Sequence, residues 1–131
     1  MENPEHLRPS SPDQTVIVVA EDEVMIRNIV RITLEAEGYF ILAADDGEEA
    51  LEIARKFPGT IHAVLSDVQM PKMDGLELRK RILEERPDTK VLLMSGYVDA
   101  APGNLPFLRK PFTADILNER IKELLDSGAS V

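Results

Sequence analysis

The chain has no cysteine, no tryptophan and only two histidines, and its 15 Lys and Arg are outnumbered by 24 Asp and Glu, for a formal charge of −9. Without cysteine, thiol nucleophiles, thiolate metal centres and a disulfide scaffold are excluded, and a reducing compartment is expected. His6 and His62 cannot build a zinc site by themselves. The shortage of basic residues argues against direct nucleic-acid binding, which relies on excess Lys and Arg to neutralise phosphates. No apolar stretch approaches the roughly 20 residues of a membrane-spanning helix. The start Met1-Glu2-Asn3-Pro4-Glu5 lacks the basic and apolar regions of a signal peptide. The expectation is a cytoplasmic protein. At 131 residues it has the size of one domain, enough to bury a core without a structural metal.

Organisation follows from the spacing of apolar residues. Residues 1–14 hold Pro4, Pro9, Ser10, Ser11 and Pro12 with little apolar content, the composition of a flexible tail or linker. From residue 15 onward, strand-like runs alternate with amphipathic segments, which points to an α/β fold built of five βα repeats around a parallel sheet. Strand one is Val16-Ile17-Val18-Val19-Ala20. Helix one carries Met25, Ile29, Ile32 and Ala36 at helical spacing with Ile26 and Val30 beside them, and Gly38 reads as its C-terminal cap. Strand two covers residues 39–43. Asp46 followed by Glu49 reads as a capping pair opening helix two through Ala50, Leu51, Ala54 and Phe57, ended by Pro58-Gly59. Strand three is residues 63–66, and the third helix, about residues 76–85, turns Leu78, Ile82 and Leu83 inward before Pro87 stops it.

Strand four, Val91-Leu92-Leu93-Met94, follows at once, and strand five is Phe107-Leu108-Arg109. Between them Pro102, Gly103 and Pro106 interrupt any helical pattern, so the fourth helix is expected to be short or missing. Thr113 can cap a last helix whose apolar stripe is Ile116, Leu117, Ile121, Leu124 and Leu125. The folded domain is thus expected over residues 15–126, with residues 127–131 as a C-terminal tail too short for an output module.

Four strands deliver polar groups at their carboxyl ends: Glu21-Asp22-Glu23, Asp67, Ser95 and Lys110. In an open parallel sheet these ends share one edge, where ligands bind. Glu21, Asp22 and Asp67 supply three carboxylates, which suit a hard cation bound through oxygen, and Mg2+ is the expected ion. An Asp carboxylate can attack a phosphoryl group, which makes Asp67 the candidate nucleophile. Phosphoryl transfer depends on positioning and on neutralising charge over the equatorial oxygens, a task that suits Lys110, while Ser95 could donate its hydroxyl to the same oxygens.

Taken together and in order, Glu21-Asp22, Asp67, Met70-Pro71-Lys72-Met73-Asp74-Gly75, Ser95-Gly96 and Lys110-Pro111-Phe112 resemble the receiver domain of two-component response regulators. The likeness covers about residues 15–125. It implies a doubly wound, flavodoxin-like five-stranded parallel sheet of strand order 2-1-3-4-5. It also implies that Asp67 accepts a phosphoryl group from a histidine kinase or phosphotransfer protein, with Glu21, Asp22, Asp67 and the Gln69 backbone carbonyl around Mg2+. By the same resemblance Lys110 and Ser95 hold the phosphoryl oxygens, Ser95 and Phe107 form the switch, and the Lys110-Pro111 bond is cis. Phe107 has no hydroxyl, so only its packing can report the state. Ser95 and Lys110 stand 15 positions apart, shorter than in receivers with a full fourth helix, so a remodelled surface or the last helix is expected to serve as the signalling face.

Blander roles exist for each residue. The acids at 21–23 could merely cap helix one, Asp67 and Ser95 could be ordinary loop residues, Lys110 a solvated amine, and Phe107 plain core. Tyr97 reads as a surface aromatic, Met70 and Met73 as loop packing, and His62 as lacking a ligand role. The combination argues for a self-modifying signalling module, not a turnover enzyme, whose output is a protein contact. A magnesium-dependent phosphatase with an aspartyl intermediate is a rival, disfavoured because Gln69 stands where haloacid dehalogenase-like sites want a second acid. A non-phosphorylated receiver-like binding module would be expected to lose Asp67, Lys110 or the acid pair. A flavodoxin-like cofactor carrier lacks its Gly-rich loop after strand one.

Overall fold

Val16–Ala20 forms β1, and every residue in it is buried. Successive side chains of a strand point to opposite faces, so a strand buried throughout needs cover on both sides of its sheet. Val16, Val18 and Ala20 enter one apolar cluster while Ile17 and Val19 enter another. The computed structural model describes residues 8–96 and 105–127. Along it β1 is followed by α1 (Val24–Ala36), β2 (Phe40–Ala44), α2 (Gly47–Lys56), β3 (Ala63–Asp67), α3 (Gly75–Glu85), β4 (Lys90–Ser95), β5 (Phe107–Arg109) and α4 (Ala114–Asp126). The strands make one parallel sheet in the order β2-β1-β3-β4-β5. Leu78 and Ile82 of α3 and Ala50, Leu51 and Ala54 of α2 cover one face. Val30 and Leu34 of α1 and Leu117, Ile121 and Leu124 of α4 cover the other. This is the expected α/β, doubly wound, flavodoxin-like architecture.

Helix starts follow local chemistry. Asp46 Oδ1 accepts the Glu49 N–H at 2.8 Å, and Glu49 answers by accepting the Asp45 N–H at 2.7 Å, a reciprocal box displaced by one residue from its usual form. Asp74 caps α3 by accepting from the Glu77 N–H, and Thr113 caps α4 by accepting from the Ile116 N–H. Glu23 opens α1 without a side-chain cap, and the first turn of α1 contains no acid. Glu23 therefore supplies no side-chain hydrogen bond to the first turn of that helix. Past its end, Gly38 takes φ +96, the left-handed conformation expected of a C-terminal glycine.

Several expectations shift, among them the bounds of strands three and four, now Ala63–Asp67 and Lys90–Ser95, and Ile116, which is 41% exposed. Strand two runs one residue later than residues 39–43. In α1 the sheet-facing row is Ile26, Val30 and Leu34, spaced four apart, whereas Met25, Ile29 and Ile32 are 76%, 56% and 58% exposed. The helix is apolar on two adjacent sides, and periodicity alone does not tell which one meets the sheet. The expectation of a short or missing fourth helix rests mainly on residues 97–104, which lie outside the described residues, as do Tyr97, the first seven residues of the chain and residues 128–131. Within the anticipated tail, Gln14 donates to the Gly38 carbonyl at 2.9 Å. His62 Nδ1 accepts the Val16 N–H at 3.0 Å, which gives this histidine a structural task at the start of β1.

The loop from β3 to α3 folds back onto β3. Gly75 donates its N–H to the Val68 carbonyl at 2.8 Å, and a Cβ added at Gly75 would fall on the Asp67 carbonyl. Backbone cannot retreat there without moving the end of β3. Gly75→Ala is therefore expected to lower the free energy of unfolding by about 1–3 kcal/mol, the usual cost of overpacking a buried site. Urea denaturation measures it, and an unchanged midpoint would mean that this loop yields freely.

Candidate functional site

The carboxyl edge of the sheet gathers the groups that strand ends deliver. Asp67 is the last residue of β3 and is 7% exposed. Its Oδ1 accepts the Gln69 N–H at 3.3 Å, and its Oδ2 lies 3.3 Å from Lys110 Nζ. Glu21, one residue past β1, is fully buried. Its Oε1 accepts from Lys110 Nζ at 2.8 Å and its Oε2 accepts the Glu23 N–H at 2.9 Å. Asp22 is exposed beside them. One carboxylate oxygen from each of Glu21, Asp22 and Asp67 lies within 4.8 Å of the other two.

Ser95 ends β4 and is 2% exposed. Its carbonyl accepts the Lys110 N–H at 2.9 Å, which extends the β4–β5 ladder and sets Lys110 beside Ser95. The Lys110-Pro111 peptide is cis. Gln69 sits in the β3–α3 loop with its side chain exposed. Phe107, half-buried at the start of β5, packs against the cluster covered by α2 and α3, and its carbonyl accepts from Arg120 of α4 at 2.9 Å. The structure thus brings Glu21, Asp22, Asp67, Lys110 and Ser95 to one edge and leaves Phe107 in the adjoining core. Met70 and Met73 pack against the same cluster, the packing role expected of them.

Charge is unevenly matched here. Burial, the strongest influence, pushes the Glu21 carboxyl above its ordinary value, and the nearby Asp67 charge adds to it. The hydrogen bonds from Lys110 and from the Glu23 N–H pull the other way without reversing it. For Lys110, burial alone would lower the ammonium's pKa, but the hydrogen bond to Glu21 and the charges of Glu21 and Asp67 prevail and raise it. One ammonium therefore serves two acids, with a third close by. A hard cation bound through oxygen fits this donor set, because it would supply the positive charge that the acids lack.

Sequence reasoning missed several supporting residues. Arg27 Nη1 donates to the Glu21 carbonyl at 2.8 Å, and no motif in the sequence signals that contact. Lys72 adopts φ 71 and sets its ammonium 3.6 Å from Asp46, while a Cβ at Gly47 would strike the Met73 carbonyl. The β3–α3 loop is thereby seated on the start of α2. The unusual backbone at Lys72 had no cue beyond its place between Pro71 and Met73.

Comparison with known proteins gives the family. The family profile of the response regulator receiver domain matches residues 17–122. The chain belongs to the response regulator receiver domain family. Among curated relatives, the response regulator receiver protein CpdR of Brucella abortus is 34% identical over 117 residues, covering 83% of this chain and 96% of that protein. The sensor kinase CckA of the same organism is 38% identical over 123 residues, covering 88% of this chain but only 13% of the kinase. Among solved structures, the response regulator TrrA of Thermotoga maritima, in complex with Mg2+-BeF, is 33% identical with a TM-score of 0.75, covering 85% of this chain and 99% of that one. Receiver domains of two-component systems interact with histidine kinases or phosphotransfer proteins and generally bind Mg2+. No helix among the described residues is long and apolar enough to cross a membrane.

Because Glu21 holds its proton more tightly in the folded receiver than in the unfolded chain, its contribution to stability is present below the ordinary value of 4.5 and is lost as pH rises through the folded value. Without divalent cation, the wild type should therefore lose stability relative to Glu21→Gln as pH is raised from about 4 to 7. Urea midpoints at several pH values measure this, and a difference constant with pH would mean that Lys110 fully offsets the burial of Glu21.

Proposed function

We propose that this receiver accepts a phosphoryl group on Asp67 from a phosphohistidine of a histidine kinase or phosphotransfer protein, and that the modification changes which proteins it binds. The observation that carries the reading is a nearly buried Asp67 sharing Lys110 with Glu21 inside a three-carboxylate cluster. A carboxylate oxygen of Asp67 attacks phosphorus, the P–N bond to the donor imidazole breaks, and the imidazole keeps the electron pair. The product is an aspartyl phosphate, which water later cleaves to inorganic phosphate and the free carboxylate.

Glu21, Asp22, Asp67 and the Gln69 backbone carbonyl are the groups that would hold Mg2+, which when bound supplies positive charge against the phosphoryl oxygens. Lys110 moves from its two carboxylates to a phosphoryl oxygen, an exchange of one charge-assisted hydrogen bond for another. Ser95 donates its hydroxyl to a further oxygen, and the packing of Phe107 adjusts as Ser95 moves. The domain acts on itself and turns over no external substrate. The phosphatase alternative is weaker, because the residue two beyond Asp67 is Gln69, which cannot serve as an acid.

Incubation with acetyl phosphate and Mg2+ should produce a single phosphoryl adduct in the intact-protein mass, absent with chelator and absent in Asp67→Asn. No adduct from acetyl phosphate or from phosphorylated histidine proteins, in a folded Mg2+-binding sample, would leave the non-phosphorylated binding module as the better reading.

A further inference from the structure

We propose that Arg27 is a positioning residue for the metal-binding acid loop, acting through the Glu21 carbonyl and not by touching metal or phosphoryl group. The proposal rests on the receiver reading above.

The loop between β1 and α1 carries two of the three clustered acids, yet its own restraints are few. The Glu21 N–H donates to the Ala44 carbonyl at 3.1 Å, which fastens the loop's entry to the end of β2. At its exit Glu23 gives α1 no side-chain cap, and the Glu23 N–H is held by Glu21 Oε2 at 2.9 Å. What lies between is the peptide joining Glu21 to Asp22, and its carbonyl is the one that Arg27 Nη1 holds at 2.8 Å. That peptide plane sets φ of Asp22, and so the direction in which the Asp22 carboxylate leaves the chain. Arg27 is itself fixed, because its N–H donates to the Glu23 carbonyl at 2.9 Å within the first turn of α1, and the side chain is half-buried. The guanidinium thus ties the peptide before Asp22 to the helix after it. Asp22 is exposed and needs such a restraint, whereas Glu21 and Asp67 are held by burial and by Lys110.

Charge and positioning predict opposite signs for the loss of Arg27. A cation near a metal site repels the metal, so removing it should tighten binding if charge were its whole effect. If it orients the acid loop, removing it should weaken binding, as loss of a partner that orients a ligand does.

The test is calorimetric titration of the full chain with Mg2+, beside phosphorylation by acetyl phosphate over a range of Mg2+ concentration. Arg27→Ala is expected to raise the Mg2+ Kd roughly tenfold. Its rate at saturating Mg2+ and its urea midpoint in chelator should stay near wild type, and Arg27→Lys should recover part of the affinity. Equal or tighter Mg2+ binding in Arg27→Ala overturns the proposal, as does a loss of saturated rate and stability with the Kd unmoved. Should Arg27→Ala fail to fold, Arg27→Lys and Arg27→Gln decide the matter, and wild-type affinity in both overturns it. Absence of Mg2+ binding by the wild type would instead sink the phosphoacceptor reading beneath it.

Discussion

Three carboxylates held at one edge of a sheet with a single ammonium among them are the constraint to which the rest of this molecule answers. Like charges about 4 Å apart repel by roughly 4 kcal/mol at the effective dielectric of a protein surface, so such a cluster persists only where the fold imposes it and an opposite charge moderates it. Lys110 moderates it from just past β5, bonded to Glu21 after β1 and close to Asp67 at the end of β3. The groups meet although 89 residues separate Glu21 from Lys110. Parallel pairing in the order β2-β1-β3-β4-β5 puts β1, β3, β4 and β5 side by side with their carboxyl ends aligned. The fold itself therefore gathers these acids and the ammonium at one edge.

The helices make this edge rigid without supplying its chemistry. α1 and α4 close one face and α2 and α3 the other, so every residue of β1 and β3 is buried and the strand ends have little freedom. Close backbone approaches extend the rigidity into the loops. Gly75 lets the β3–α3 loop lie on the Asp67 backbone, and Gly47 lets the same loop lie on α2. The β3–α3 loop is thus seated both on the end of β3 and on the start of α2.

Much of this was legible in the sequence, and the reasons are physical. The strands were readable because burial on both faces demands unbroken apolar runs, as in Val16-Ile17-Val18-Val19-Ala20 and Val91-Leu92-Leu93-Met94. The site was readable because polar groups at the ends of such runs are conspicuous, and Glu21, Asp67, Ser95 and Lys110 all stand there. The orientation of α1 was not readable, since Met25, Ile29 and Ile32 are as apolar as the sheet-facing Ile26, Val30 and Leu34 beside them. Arg27 escaped notice because a side chain that binds a backbone carbonyl leaves no pattern among other side chains. The same holds for His62, whose ring accepts the Val16 N–H.

The most direct test of the central claim is to locate the modified residue. Protein phosphorylated in the presence of Mg2+ would be reduced with borohydride, which converts an aspartyl phosphate to homoserine, and then sequenced by tandem mass spectrometry. Homoserine at position 67 and nowhere else is the predicted result. Homoserine at Asp22 or another acid, with Asp67 intact, would contradict the account.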